Sequence, residues 1–180
     1  MNSFYSRQEL EKIGFKSIGE SVSISRNATF YGVEQINIGS HVRIDDFCIL
    51  SGDITLGSYI HISAYCALYG SYGIEMEDYT GLSPKCTVFS ATDDFSGEFL
   101  IGPMVEKKLT NVMGGKVLIK KYSQLGAGCV ILPDLTINEG TAVGSMSLVK
   151  SSLPEWSICA GIPAKKIKNR SKEMLELVNE

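Results

Sequence analysis

The sequence predicts an all-β fold of the parallel β-solenoid kind, in which short strands wind around one shared core. Three observations carry this. A six-residue beat runs through Ile38, Ile44, Leu50, Leu56, Ile62, Leu68 and Ile74 without a slip. Two residues ahead of it runs a smaller apolar series: Ile36, Val42, Cys48, Ile54, Ile60, Cys66 and Tyr72. Glycine recurs at matching corners, Gly39, Gly57, Gly126 and Gly144. Amphipathic helices repeat at three, four and seven residues and exposed strands at two, so a period of six signals a stacked coil.

The elements follow in order. Residues 1–20 read as an N-terminal cap. Ser6 stands ahead of Gln8 and Glu9, and Leu10 with Ile13 makes an apolar stripe before Gly14, which predicts a helix over Arg7 to Ile13. Residues 21–89 are a first solenoid run, opened by Val22/Ile24 and Ala28/Phe30. These reach Ile36/Ile38 only after eight residues, so 31–35 should carry a bulge.

The beat fades at Thr80 and Cys86 and has no trace in residues 90–115, which read as a loop extruded from the stack. It returns over 116–150 with Ile119, Leu125, Ile131, Ile137, Val143 and Val149, preceded by Val117, Ser123, Cys129, Leu135, Thr141 and Ser147. This second run is three residues out of phase with the first, as an insertion requires. Residues 151–180 form a tail. Pro163, then Ile167, Met174, Leu175 and Val178 among lysines, predict a helix over Ala164 to Val178. Both helices would close the open ends of the stack, whose unpaired strand edges otherwise invite association.

Composition fits one soluble domain, with 44% hydrophobic and 21% charged residues. A net charge of −3 argues against a nucleic-acid binder. No basic leader and no long apolar run stands in the chain, so the expected location is the cytoplasm. Five cysteines, three on the inward series, suit buried free thiols better than a disulfide framework.

The Ile-Gly-x-x-x-x beat, the mid-solenoid loop and the tail Gly161-Ile162-Pro163-Ala164-Lys165 together resemble the hexapeptide-repeat acyltransferases, over about residues 20–168. The resemblance implies a left-handed parallel β-helix with three faces per coil and about six coils. The segments MNSFYSRQELEKIGF, IDDFCILSG and ATDDFSG are similar to the subgroup that acetylates the amine of a nucleotide-linked 4-amino-4,6-dideoxy sugar. That implies a homotrimer working in cell-surface polysaccharide (O-antigen) biosynthesis, with acetyl-CoA and the acceptor meeting between protomers under the loop.

Many members of that family begin the loop with a catalytic histidine. Here Val88 to Phe95 contains none. Asp93 and Asp94 are the local candidates, and a carboxylate with a reference pKa of ~3.9 is a weak base. An amine acceptor asks less of it than an alcohol would, which favours N-acetylation. Either aspartate could instead cap a turn. His61 and His41 are the only histidines, both facing outward, and His61 lies nearer the loop. Two histidines and scattered cysteines lack metal-ligand spacing, so no metal is expected, and the three-histidine carbonic-anhydrase type of β-helix is disfavoured.

For acetyl-CoA the resemblance points to late turns at Gly126, Ala127, Gly144 and Ser145, and to Lys150, Lys165 and Lys166 for phosphate. For the acceptor, outward Asp45, Asp46, Tyr65, Tyr69, Tyr79 and Lys85 are candidates. Sugar O-acetylation and a non-catalytic scaffold remain the alternative readings.

Overall fold

A computed structural model describes residues 3–178. The chain winds as a left-handed β-helix of about seven turns. One face stacks Ser17–Ile18, Ile36–Ile38, 54–56, 74–76, Val117–Ile119 and Leu135–Ile137 in parallel register. A second stacks Ser23–Ile24, Val42–Ile44, Ile60–Ile62, Gly81–Leu82, Gln124–Leu125, Ala142–Val143 and Ser157–Gly161. The third stacks Thr29–Tyr31, 49–51, 67–69, Thr87–Phe89, Val130–Ile131 and Leu148–Val149. The count exceeds six because Ser17–Ile24 already starts a turn and Ser157–Gly161 adds a final rung.

Register corrects one detail of the beat. Ile74 pairs with Ile54 and Val117, so it belongs to the smaller series, and Met76 pairs with Leu56 and Ile119 in the main one. The chain slips between Gly52 and Ile54, where Gly70–Gly73 inserts two residues. Tyr72 therefore points outward and is 49% exposed. The inner series does not fade either, since Thr80 and Cys86 are both buried. The predicted bulge at 31–35 is a 3-10 turn over Val33–Gln35.

Small polar side chains in the core satisfy themselves on the corners. Cys48, Cys66, Cys86 and Cys129 form a buried column whose thiols donate to the carbonyls of Ser63 (3.1 Å), Ser83 (3.2 Å), Gly126 (3.1 Å) and Gly144 (3.2 Å). Hydrogen bonding to its thiol neighbours, and then burial, pushes Cys66 up and keeps it a protonated donor. Thr80, Ser123, Thr141 and Ser157 do the same with hydroxyls, at 2.6–2.9 Å from main-chain oxygens. All five cysteines are free.

The N-terminal helix forms over Arg7–Ile13, as predicted. Ser6 and Glu9 make a reciprocal capping box, and Gly14 closes the helix at φ 90°. The C-terminal helix does not form. Ala164–Asn169 is instead a strand that folds back antiparallel on Ser157–Gly161, followed by a 3-10 segment Glu173–Val178. Local pattern loses to the unpaired edge of the last rung, which the returning strand covers while its lysines face solvent. Residues 90–115 leave the stack through an antiparallel pair, Ala91–Asp93 with Val112–Gly114.

One corner carries a column of rings in left-handed backbone conformation: His41, Tyr59, Tyr79, Tyr122 and Trp156, at φ 44–62°. Centroids of successive rings lie 4.7, 4.6, 5.4 and 6.2 Å apart. A positive φ costs a side chain about 1 kcal/mol, and a stacked pair returns a similar amount.

Candidate active site

The outward row of the second face runs Arg43, His61, Gly81, Gln124 on successive rungs. Gly81 leaves a gap in that row. Gln124 leans over it, so that a methyl group at 81 would meet Gln124 Oε1, and Gln124 Nε2 donates to the carbonyl of Tyr79 at 3.2 Å. What remains is a polar notch of about 70 Å³ lined by His61, Ser63, Gly81, Leu82, Ser83 and Gln124.

Behind the notch, His61 Nε2 lies 2.7 Å from Asp45 Oδ2, and Arg43 Nε donates to Asp45 Oδ1 at 2.7 Å. The Asp45 side chain is only 19% exposed against 52% for His61. Burial opposes ionisation of Asp45, but hydrogen bonds from Arg43 and His61 outweigh it together and hold the carboxyl below its usual range. Arg43 is itself seated over the Phe4 ring, 5.2 Å from its centroid.

The two loop aspartates have different surroundings. Asp94 Oδ1 accepts from the Ser96 amide at 2.8 Å and Oδ2 from Asn111 Nδ2 at 2.8 Å. The bonds from Ser96 and Asn111 hold its carboxyl below the usual range. Asp94 thus fastens the loop. Asp93, half-buried, borders two clefts, one of about 350 Å³ with Lys107 and Thr110, the other of about 280 Å³ with Phe89, Phe95 and Leu132. His61 borders neither of these clefts, so within one chain the histidine and the loop aspartates stand apart.

Of the acceptor candidates, Asp46 accepts a hydrogen bond from the buried Ser25 hydroxyl. Tyr65 stacks on Phe47 at 5.0 Å, and Tyr69 on Phe89 at 5.3 Å beside the second Asp93 cleft. Tyr79 sits in mid-column between Tyr59 and Tyr122. Lys85 is exposed at a corner. Gly126, Ala127, Gly144 and Ser145 form two adjoining late turns, tight enough that a methyl at 126 would meet the Ser145 amide at 2.6 Å. Next to them Gly128, Val130, Met146, Leu148 and Ile162 line an apolar cleft of about 300 Å³. Lys150, Lys165 and Lys166 are exposed.

Sequence reasoning missed Ser63, Gly81, Ser83, Phe89, Phe95 and Gln124. Gly81 could have been found, as the one glycine in an outward row otherwise filled by Arg43, His61 and Gln124. Among the described residues no group of three or more His, Cys, Asp or Glu side chains could hold a metal ion.

No family model matches the chain. A dTDP-4-amino-4,6-dideoxy-D-glucose acyltransferase of Escherichia coli is 41% identical over 172 residues, spanning 94% of this chain and 90% of its own. AntD, an N-acyltransferase from Bacillus cereus solved with dTDP and 3-hydroxybutyryl-CoA, is 53% identical with a TM-score of 0.97, over 99% of this chain and 96% of that one. A hexapeptide-repeat acetyltransferase of Vibrio cholerae, at 15% identity and TM-score 0.63 over 92% and 80% of the two chains, shares the fold. Fold and site therefore define an acyltransferase of the hexapeptide-repeat type. Within that class the chain belongs to the dTDP-4-amino-4,6-dideoxyglucose N-acyltransferases.

Proposed function

We propose that this protein transfers an acyl group, acetyl in the first instance, from its CoA thioester to the amine of dTDP-4-amino-4,6-dideoxyglucose or a close nucleotide-linked relative. The supporting observation is the match over almost the whole chain to AntD, solved with that sugar nucleotide and coenzyme A together. Asp93 attracts the substrate ammonium at the loop base. AntD was also solved as variants changed at a serine and at an aspartate ten residues apart. Ser83 and Asp93 have that spacing here, whereas Pro84 stands ten residues before Asp94.

Pantetheine lies along the late turns and the apolar cleft at Met146 and Ile162, with a turn amide polarising the thioester oxygen. Lys150, Lys165 and Lys166 meet the CoA phosphates. Tyr69 and Phe89 offer the nucleotide a stacked platform. The working assembly is a homotrimer in which one subunit's loop covers its neighbour, and exposed Phe95, Leu100 and Met104 on that loop favour such burial. The product enters cell-surface polysaccharide synthesis, and the protein acts in the cytoplasm; no helix of the described residues is long and apolar enough to cross a membrane.

The test is incubation with isotopically labelled acetyl-CoA and either the amino sugar nucleotide or its 4-hydroxy counterpart. Label on the amine is expected. Label on hydroxyls alone would establish the O-acetyltransferase alternative, and calorimetry showing no CoA binding would leave only a scaffold.

A further inference from the structure

We infer that Cys86 is a positioning residue for the acyl donor: its buried thiol turns the Gly126–Ala127 peptide so that the Ala127 N–H faces outward, toward a carbonyl of the pantetheine arm. This rests on the acyl transfer proposed above and on its placing of pantetheine at the late turns.

The argument starts from the peptide plane. In a trans peptide the C=O of one residue and the N–H of the next point opposite ways. Cys86 Sγ donates to the Gly126 carbonyl at 3.1 Å, and Cys86 is fully buried, so that carbonyl is turned toward the core. The Ala127 N–H then aims at solvent, and among the described residues it makes no hydrogen bond. The neighbouring Cys129 thiol draws Cys86 toward ionisation. A thiolate there, however, would set two acceptors against each other at 3.1 Å, and no charged side chain is buried in the core to offset it, so Cys86 keeps its proton.

The same device recurs along the column with different results. Cys66 holds the Ser83 carbonyl at 3.2 Å, but the next residue is Pro84, which has no N–H to present. Cys48 holds the Ser63 carbonyl at 3.1 Å and presents Ala64, two rungs before Ala127. Gly144 is held twice, by Cys129 at 3.2 Å and by the Ser147 hydroxyl at 2.6 Å, which presents Ser145. Met146 N donates to Ala127 O at 2.8 Å, so the turns of Ala127 and Ser145 stand on adjoining rungs. Outward amides roughly 4.8 Å apart suit an extended arm that carries carbonyl groups along its length. Gly128 and Met146, the residues that follow these two, line the apolar cleft, so an arm seated there passes over both amides. Of the pair, Ala127 is the one whose peptide depends on a single thiol. Ser147 continues the column one rung beyond Cys129, which shows that a hydroxyl can do the same task.

Two measurements on the full-length protein decide it. In hydrogen exchange of the unsubstituted protein, the Ala127 amide should slow roughly 5-fold or more when CoA is added. In steady-state kinetics, Cys86→Ala should raise KM for acetyl-CoA roughly 5-fold or more and leave KM for the sugar nucleotide unchanged. Cys86→Ser keeps a donor and should stay close to the unsubstituted protein. Cys48→Ala removes an equally buried thiol and should leave KM for acetyl-CoA as it was, which separates positioning from lost packing. CoA binding seen by calorimetry with no slowing at Ala127 overturns the inference without any variant having to fold. So do equal KM values in folded Cys86→Ala and Cys48→Ala, or a Cys86→Ser variant that behaves like Cys86→Ala. Absence of CoA binding by the unsubstituted protein would refute the proposed function instead. The thiol contact would still be read from the Ala127 amide, whose exchange should differ between Cys86→Ala and Cys86→Ser with no ligand present.

Discussion

The indole of Trp156 packs against Gly140 so closely that a methyl group at 140 would stand 2.5 Å from the ring. Gly140 is the rung where the corner column has no side chain, and its φ is +66°. Trp156 reaches across the gap toward Tyr122, and Lys172 is held 5.1 Å above the indole. Arg170, whose guanidinium donates to the carbonyls of Tyr122 (2.8 Å) and Gly140 (3.1 Å), ties the tail to the same corner.

Gly140→Ala should therefore destabilise the protein by about 2 kcal/mol or more, combining left-handed strain with overpacking against the indole. Urea denaturation measures it. A stability equal to the unsubstituted protein would show that Trp156 is free to move aside.

Tyr79 is the middle ring of the column, and no hydrogen bond engages its hydroxyl among the described residues. Tyr79→Phe should be close to neutral for stability, and Tyr79→Ala should cost about 2 kcal/mol or more from two lost ring contacts and apolar burial. If Tyr79→Phe instead raises KM for the sugar nucleotide, the hydroxyl is an acceptor contact and the column has a second role.

Glu9 is pulled down to about 2 by its hydrogen bond with Arg26 and by those from Ser6. Because its folded value is depressed, the stability it contributes is fully present above the unfolded value of 4.5 and is lost as pH falls toward 2. Glu9→Gln should accordingly lower the denaturation midpoint at neutral pH and flatten its fall between those values. A parallel acid profile would place the pair's contribution at nothing.

The loop aspartates differ in their surroundings, Asp94 tied to Ser96 and Asn111 and Asp93 open to two clefts, and they should differ in function. Asp93→Asn should reduce kcat roughly 10-fold or more. Asp94→Asn, losing the acceptor that fastens Ser96 and Asn111, should loosen the loop, raising KM more than it lowers kcat. Steady-state kinetics with both substrates distinguishes the two, and equal effects on kcat would contradict the assignment.

All five thiols are buried. A thiol reagent should find no reactive cysteine in the folded protein and five once it is unfolded; early labelling of Cys48 or Cys66 would mean that the corner column opens.

Inward residues were legible because one chemical requirement, an apolar column, is imposed on every coil. The helix Arg7–Ile13 was legible for a similar reason, since its caps are local. The strand Ala164–Asn169 was not, because its conformation is decided by the open edge of Ser157–Gly161 rather than by its own residues. Nor was the two-residue insertion at Gly70–Gly73, since Ile74 and Met76 are both apolar and either could continue the beat.

By itself, then, the sequence determined the solenoid, the position of its interruption and the missing loop histidine, because periodicity records which side chains point inward. Only tertiary structure decided which outward groups meet. His61 finds Asp45, 16 residues back, and Gly81 opens the notch between His61 and Gln124. Such meetings depend on how each corner turns and how many residues each coil spends, and those lengths are fixed by stacking.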